Sequence, residues 1–174
     1  MLFVLDAGSA LVEAAFATGT LLMSEGQYGL LISISGAGYV TGAVLNSIVV
    51  EKFNVKELII GGGLIFSGGY LIFSTFRTYF VASIGFFLIS FALSSINTGF
   101  RTYTQTRLPV EKMGQITASF NGLLAILEMV TVALVSGVSS FIHMRIVLVV
   151  TQIIMLSVVF VIRHLSKQIN FDSQ

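Results

Sequence analysis

The chain has no cysteine, no tryptophan and a single proline, Pro109. Without cysteine there can be no disulfide, no thiolate-ligated zinc and no thiol nucleophile. Without tryptophan, tyrosine and phenylalanine must supply any aromatic anchors at a membrane interface. Charge is also scarce. Only 10% of the 174 residues are Asp, Glu, Lys or Arg, against roughly 25% in soluble domains. Hydrophobic residues make up 55%, and the mean hydropathy is +0.96. A chain of this composition cannot cover itself with polar surface, so it reads as an integral membrane protein whose first partner is the lipid bilayer. The net charge of +1 provides no strong field for nucleic acid, which is not expected as a partner.

Catalytic and metal-binding signatures are missing too. There is no Walker loop, no Gly-x-Ser-x-Gly elbow and no His-Glu-x-x-His, so no enzyme activity, cofactor or metal is expected. His143 and His164 lie near the ends of hydrophobic runs without the spacing of a metal pair, and read as interfacial side chains. Gly61-Gly62-Gly63 opens a hydrophobic span, where helix packing is a better use than a phosphate cradle.

What is present is long apolar runs. A membrane-crossing helix needs about 20 mostly apolar residues. That rule predicts an all-α membrane protein with six transmembrane helices, at about 2–23, 28–50, 58–75, 79–100, 113–141 and 146–162. Together they make one transmembrane domain over 1–168, followed by a short tail at 169–174. The first run lacks a basic leader and is interrupted by Asp6 and Glu13, so it does not read as a cleaved signal peptide. It starts at Met1 with no polar lead-in, which fits an upstream portion having been lost. Gly38-x-x-x-Gly42 in the second run is spaced for close helix approach, although glycine is also simply common in membrane helices.

The longest polar interval, Gly99 to Gly122, holds Arg101, Arg107, Glu111, Lys112 and Pro109, and reads as a connection outside the membrane. Placing both termini in the cytoplasm puts seven basic residues inside (Lys52, Lys56, Arg101, Arg107, Lys112, Arg163, Lys167) and two outside (Arg77, Arg145). This distribution favours both ends inside, in a cell membrane.

Ionisable groups at membrane depth cost about 2.5–3.5 kcal/mol on insertion scales, so each needs a reason. Asp6, Glu13 and Glu128 qualify. Asp6 and Glu13 are seven residues apart, about two turns along one helical face. Each carboxylate has two readings: a group that carries protons or contacts substrate, or a packing carboxyl bonded to a neighbouring helix. Asn97 and Asn121, with Ser94 and Ser95, are weaker candidates, and the two asparagines read more readily as hydrogen-bonded ties between helices than as substrate contacts. The third and sixth spans carry no ionisable group in their cores, which predicts that they face lipid while the first and fifth face the interior.

Two strings carry a family resemblance. Gln105-Thr106-x-x-Pro109-x-Glu111-Lys112-x-Gly114-Gln115 resembles the loop before the eleventh helix of major facilitator superfamily transporters. Gln27-Tyr28-Gly29-Leu30-Leu31 with Gly36-x-Gly38 resembles the start of their eighth helix. The chain as a whole looks like the carboxyl-terminal six-helix half of such a transporter, most like drug or macrolide efflux relatives. After the second span, Ser47, Glu51, Lys52, Asn54 and Lys56 stand in a degraded form of the family's cytoplasmic signature, with Val55 replacing a basic residue. The resemblance implies an inverted 3+3 repeat and alternating access. It makes Glu51, Lys52, Lys56, Arg107 and Glu111 candidates for cytoplasmic gating, and Glu128, Glu13, Asp6, Asn97 and Asn121 candidates for proton coupling or contact with a small-molecule substrate. It also implies a partner, either an amino-terminal six-helix half or a second copy. The expected function is proton-coupled efflux of small amphipathic compounds. The alternative is a truncated or split membrane subunit that transports nothing alone and acts as an assembly partner.

Overall fold

The computed structural model describes residues 13–49, 55–76, 78–107, 110–139 and 144–168. Six helices follow one another: α1 (13–20, ending in the π-helical turn Phe16–Thr20), α2 (Glu25–Val49), α3 (Val55–Thr75), α4 (Tyr79–Arg107), α5 (Val110–Ser139) and α6 (Met144–Gln168). No strand occurs among the described residues. Four helices carry stretches long and apolar enough to cross a membrane: Glu25–Ile48, Glu57–Thr75, Tyr79–Thr106 and Lys112–Leu134. The apolar stretch of α6, Arg145–Val161, is shorter, and most of the first expected span lies outside the described residues. An all-helical, membrane-embedded chain is what the bilayer demands, because each helix satisfies its own backbone polar groups.

Helix boundaries depart from the hydropathy reading at the polar interval. The expected connection is almost entirely helix, since α4 continues to Arg107 and α5 starts at Val110. The reason is local. Thr104 and Thr106 donate their hydroxyls to the carbonyls of Phe100 and Thr102, at 2.6 and 2.9 Å, so the helix itself satisfies these polar side chains. At the other end of the chain, Ser24-Glu25-Gly26-Gln27 forms a reciprocal cap on α2. The Ser24 N–H donates to Gln27 Oε1 at 2.9 Å and the Gln27 N–H to Ser24 Oγ at 3.3 Å. Glu25 adds a negative charge at the positive end of that helix.

The pairs across helices fix their directions. Gly38, Gly42 and Asn46 of α2 meet Phe87, Phe91 and Ser95 of α4, advancing four residues at a time on both, so α2 and α4 run parallel. A Cβ at Gly38 would run into the carbonyl oxygen of Phe87, and one at Gly42 would lie 2.8 Å from that of Phe91. The Gly38-x-x-x-Gly42 spacing therefore does bring two backbones together. Gly36, on the same helix, meets nothing within 4 Å. Helices α3 and α4 run antiparallel: Gly62 lies against Ile96, and Gly69 against Gly85 and Ile89. Glu13 and Phe16 of α1 reach Tyr70 and Phe73 of α3, which makes these two parallel. This alternation is that of an up-and-down bundle.

The core sits around α3 and α4, with Phe66, Tyr70, Phe73, Phe86 and Ile89 buried together. Helix α3 packs against both α4 and α6, with Gly63 seated on Val159. This corrects the expectation that the third span faces lipid. Lack of charge marks α3 as the middle of the bundle, and its small residues let two neighbours close on it. Helix α5, expected to face the interior, has no buried residue in its apolar stretch and touches α4 and α6 only slightly.

Candidate functional site

A groove of about 420 Å³ lies between α4 and α5. Asn97, Arg101, Thr104 and Gln105 line it from α4, and Thr117, Asn121 and Glu128 from α5, with Phe100, Met113 and Leu124 between them. The polar residues step by four, three and one along α4 and by four and seven along α5, so each set forms a stripe along one helical face. The helices are joined at the Phe100–Phe120 stack, whose ring centroids are 5.1 Å apart. Opposed helices meeting there put Arg101 and Gln105 toward the end near the α4–α5 connection, and Glu128 toward the opposite end. About 10 Å of helix axis separates Glu128 from Asn121.

Three of the residues singled out from sequence, Asn97, Asn121 and Glu128, are thus brought onto one groove. Asn97 and Glu128 are half-buried and Asn121 is exposed. None of the three forms a hydrogen bond or ion pair among the described residues. Ser94 and Ser95 point elsewhere, into the packed side of α4, where Ser95 exchanges hydrogen bonds with Asn46 of α2 at 3.1 and 3.2 Å. Asn46, fully packed and paired, is a tie that sequence reading missed. Its signal was its place four residues beyond Gly42 on the same face.

Glu13 is not in the groove. Its carboxylate accepts a hydrogen bond of 2.8 Å from the Tyr70 hydroxyl, which ties α1 to α3 beside the edge-on rings of Phe16, Phe73 and Phe86. Asp6, Glu51 and Lys52 lie outside the described residues. Lys56 falls in the first turn of α3, Arg107 at the end of α4 and Glu111 in the first turn of α5. Arg101 and Gln105, not singled out as site residues from sequence, belong to the groove. Their signal was the four-residue step from Asn97.

Among the described residues no cluster of three His, Asp or Glu side chains is arranged to hold a metal. The groove's chemistry is that of reversible polar binding: an acid at one end, a guanidinium toward the other, amides and an aromatic pair between. In comparison with known proteins, no family model, no curated protein and no solved structure matches the chain.

Proposed function

We propose that the chain is one six-helix half of a secondary transporter of the major facilitator type, exporting small amphipathic compounds in exchange for protons by alternating access. The observation that carries this reading is the polar stripe of α5. Thr117, Asn121 and Glu128 lie on an apolar helix, in a groove, without partners among the described residues. Lipid alone would select against such a stripe, and a ligand or a water-filled path gives it a use. Glu128 is the proton carrier or substrate contact, Asn97 and Asn121 orient the ligand, and Arg101 sets the charge near the connection. In this reading both termini lie in the cytoplasm of a plasma-membrane protein, as the seven-to-two distribution of basic residues supports.

A second reading keeps the same groove but makes it an assembly surface. The openness of α5 favours it, because a binding site with one wall missing needs another helical bundle. Proton flux on addition of lipophilic fluorescent dyes, measured in vesicles containing the protein, tests the first reading. Dye-dependent flux that falls at least tenfold in Glu128→Gln supports it. Flux that is absent in both forms leaves the assembly subunit.

A further inference from the structure

Away from the groove, α1 ends in an unusual way. The Leu21 N–H bonds to the Phe16 carbonyl five residues back at 3.0 Å, so the last turn is π-helical, and the Met23 N–H closes the helix end with a wider bond to the Ala17 carbonyl at 3.1 Å. Leu22 then takes a left-handed backbone with φ 54°, a conformation that disfavours a branched side chain. A π-turn holds one residue more than an α-turn. Its conversion to α-helix rotates everything before it by about 100° relative to everything after it.

Glu13, three residues before Phe16 and on the α-helical side of this turn, is held by Tyr70 of α3. One turn further along α1, the guanidinium of Arg145, from the start of α6, lies over the Phe16 ring at 5.7 Å. The Nε and Nη2 of Arg145 are buried and have no acceptor among the described residues. These two nitrogens form the side-on fork that grips a carboxylate with two parallel hydrogen bonds. Leaving such a fork unsatisfied away from water is costly, so another state of the molecule should fill it. Glu13 is the described acid nearest in sequence to the ring on which Arg145 rests.

We propose that the π-turn of α1 is a rotary switch that passes Glu13 between Tyr70 on α3 and the Arg145 fork on α6. Ionised Glu13 pairs with Arg145 and ties α1 to α6. Protonated Glu13 returns to Tyr70, and the tie opens. Among the described residues, Tyr70 of α3 bonds Glu13, Tyr28 of α2 lies within reach of its charge, and Arg145 of α6 rests on the Phe16 ring three residues further along α1. This inference does not depend on the α4–α5 groove or on transport.

The test is a double-mutant cycle on the purified six-helix chain, following thermal unfolding across pH with Glu13→Gln, Arg145→Gln and the double variant. Arg145→Lys keeps the charge but loses the fork. The expected result is that above the titration of Glu13 each single variant unfolds several degrees lower, while the double loses no more than the worse single. Below that titration, Arg145→Gln should match the parent. Arg145→Lys should resemble Arg145→Gln at high pH. Additive losses would overturn the proposal. So would an Arg145→Gln effect that persists with Gln at 13 and grows in vesicles rich in phosphatidylglycerol, because the fork would then belong to a lipid phosphate. If Arg145→Gln does not fold, the charge exchange Glu13→Arg with Arg145→Glu decides. Recovery of folding supports the pair, and no recovery overturns it.

Discussion

Gly38 of α2 faces the carbonyl oxygen of Phe87 of α4 so closely that any side chain at position 38 would collide with backbone. A backbone oxygen cannot rotate away as a flexible side chain can. Gly38→Ala must therefore push the two helices apart, and also strain the Ser35–Ser90 and Asn46–Ser95 hydrogen bonds on either side. A loss of about 1–3 kcal/mol is expected, the usual cost of overpacking. Gly36→Ala, with nothing within 4 Å, is the control and should leave unfolding in detergent unchanged. Equal effects at the two positions would contradict the packing.

Asn46 and Ser95 form the only buried side-chain pair between α2 and α4 in which both partners exchange hydrogen bonds among the described residues. In a membrane, such pairs couple by about 0.6 kcal/mol and rarely beyond 1.7 kcal/mol. Asn46→Ala and Ser95→Ala, combined in a thermodynamic cycle by denaturant titration in mixed micelles, should show coupling in that range. A coupling of zero would mean each group finds other partners as readily.

How far these relationships could be read in advance depended on what carried the signal. Hydropathy located the four helices long enough to cross a membrane, because an apolar phase leaves the backbone no other choice, and the Gly38-x-x-x-Gly42 spacing marked a true close contact. It failed over 99–107, because threonines can return their hydroxyls to their own helix and let a polar stretch remain helical. The place of α3 is not legible from its sequence either. An uncharged helix is compatible with either lipid or the centre of a bundle, and only the neighbours of Gly62, Gly63 and Gly69 decide between them. The groove was half legible: Asn97, Asn121 and Glu128 stood out as polar groups in apolar runs. Sequence did not reveal that they share a groove from which Glu13 is absent, because pairing between helices leaves no mark in either one alone.

Leu22 offers a test of local strain. Its left-handed backbone costs an L-residue about 1–2 kcal/mol, and its side chain is 82% exposed, so little packing opposes a change. Glycine accepts this conformation but adds unfolded-state entropy of about 0.5–1 kcal/mol. Leu22→Gly should therefore be neutral or stabilising by up to about 1 kcal/mol, whereas Leu22→Val should destabilise. Thermal unfolding of the two variants, compared side by side, would give this order. The reverse order would mean that α1 does not turn into α2 through a left-handed residue at 22.

Glu128 places stability and function in opposition. A carboxylate within the apolar stretch Lys112–Leu134 carries an insertion cost of about 2.5–3.5 kcal/mol on translocon scales, and no described residue offsets it with a hydrogen bond or ion pair. If the side chain served only packing, Glu128→Leu would improve insertion and change nothing else. If Glu128 is the working acid of the groove, the same substitution should raise membrane insertion and resistance to unfolding while abolishing dye-dependent proton flux. Glu128→Gln separates polarity from charge. It keeps the shape and hydrogen-bonding capacity of the site but cannot take up a proton, so it should retain dye binding within a few fold and lose the flux. Fluorescence titration of dye binding beside the flux assay measures both quantities on one preparation. Retained flux in Glu128→Gln would remove the residue from proton coupling and leave the groove as a surface for another helical bundle.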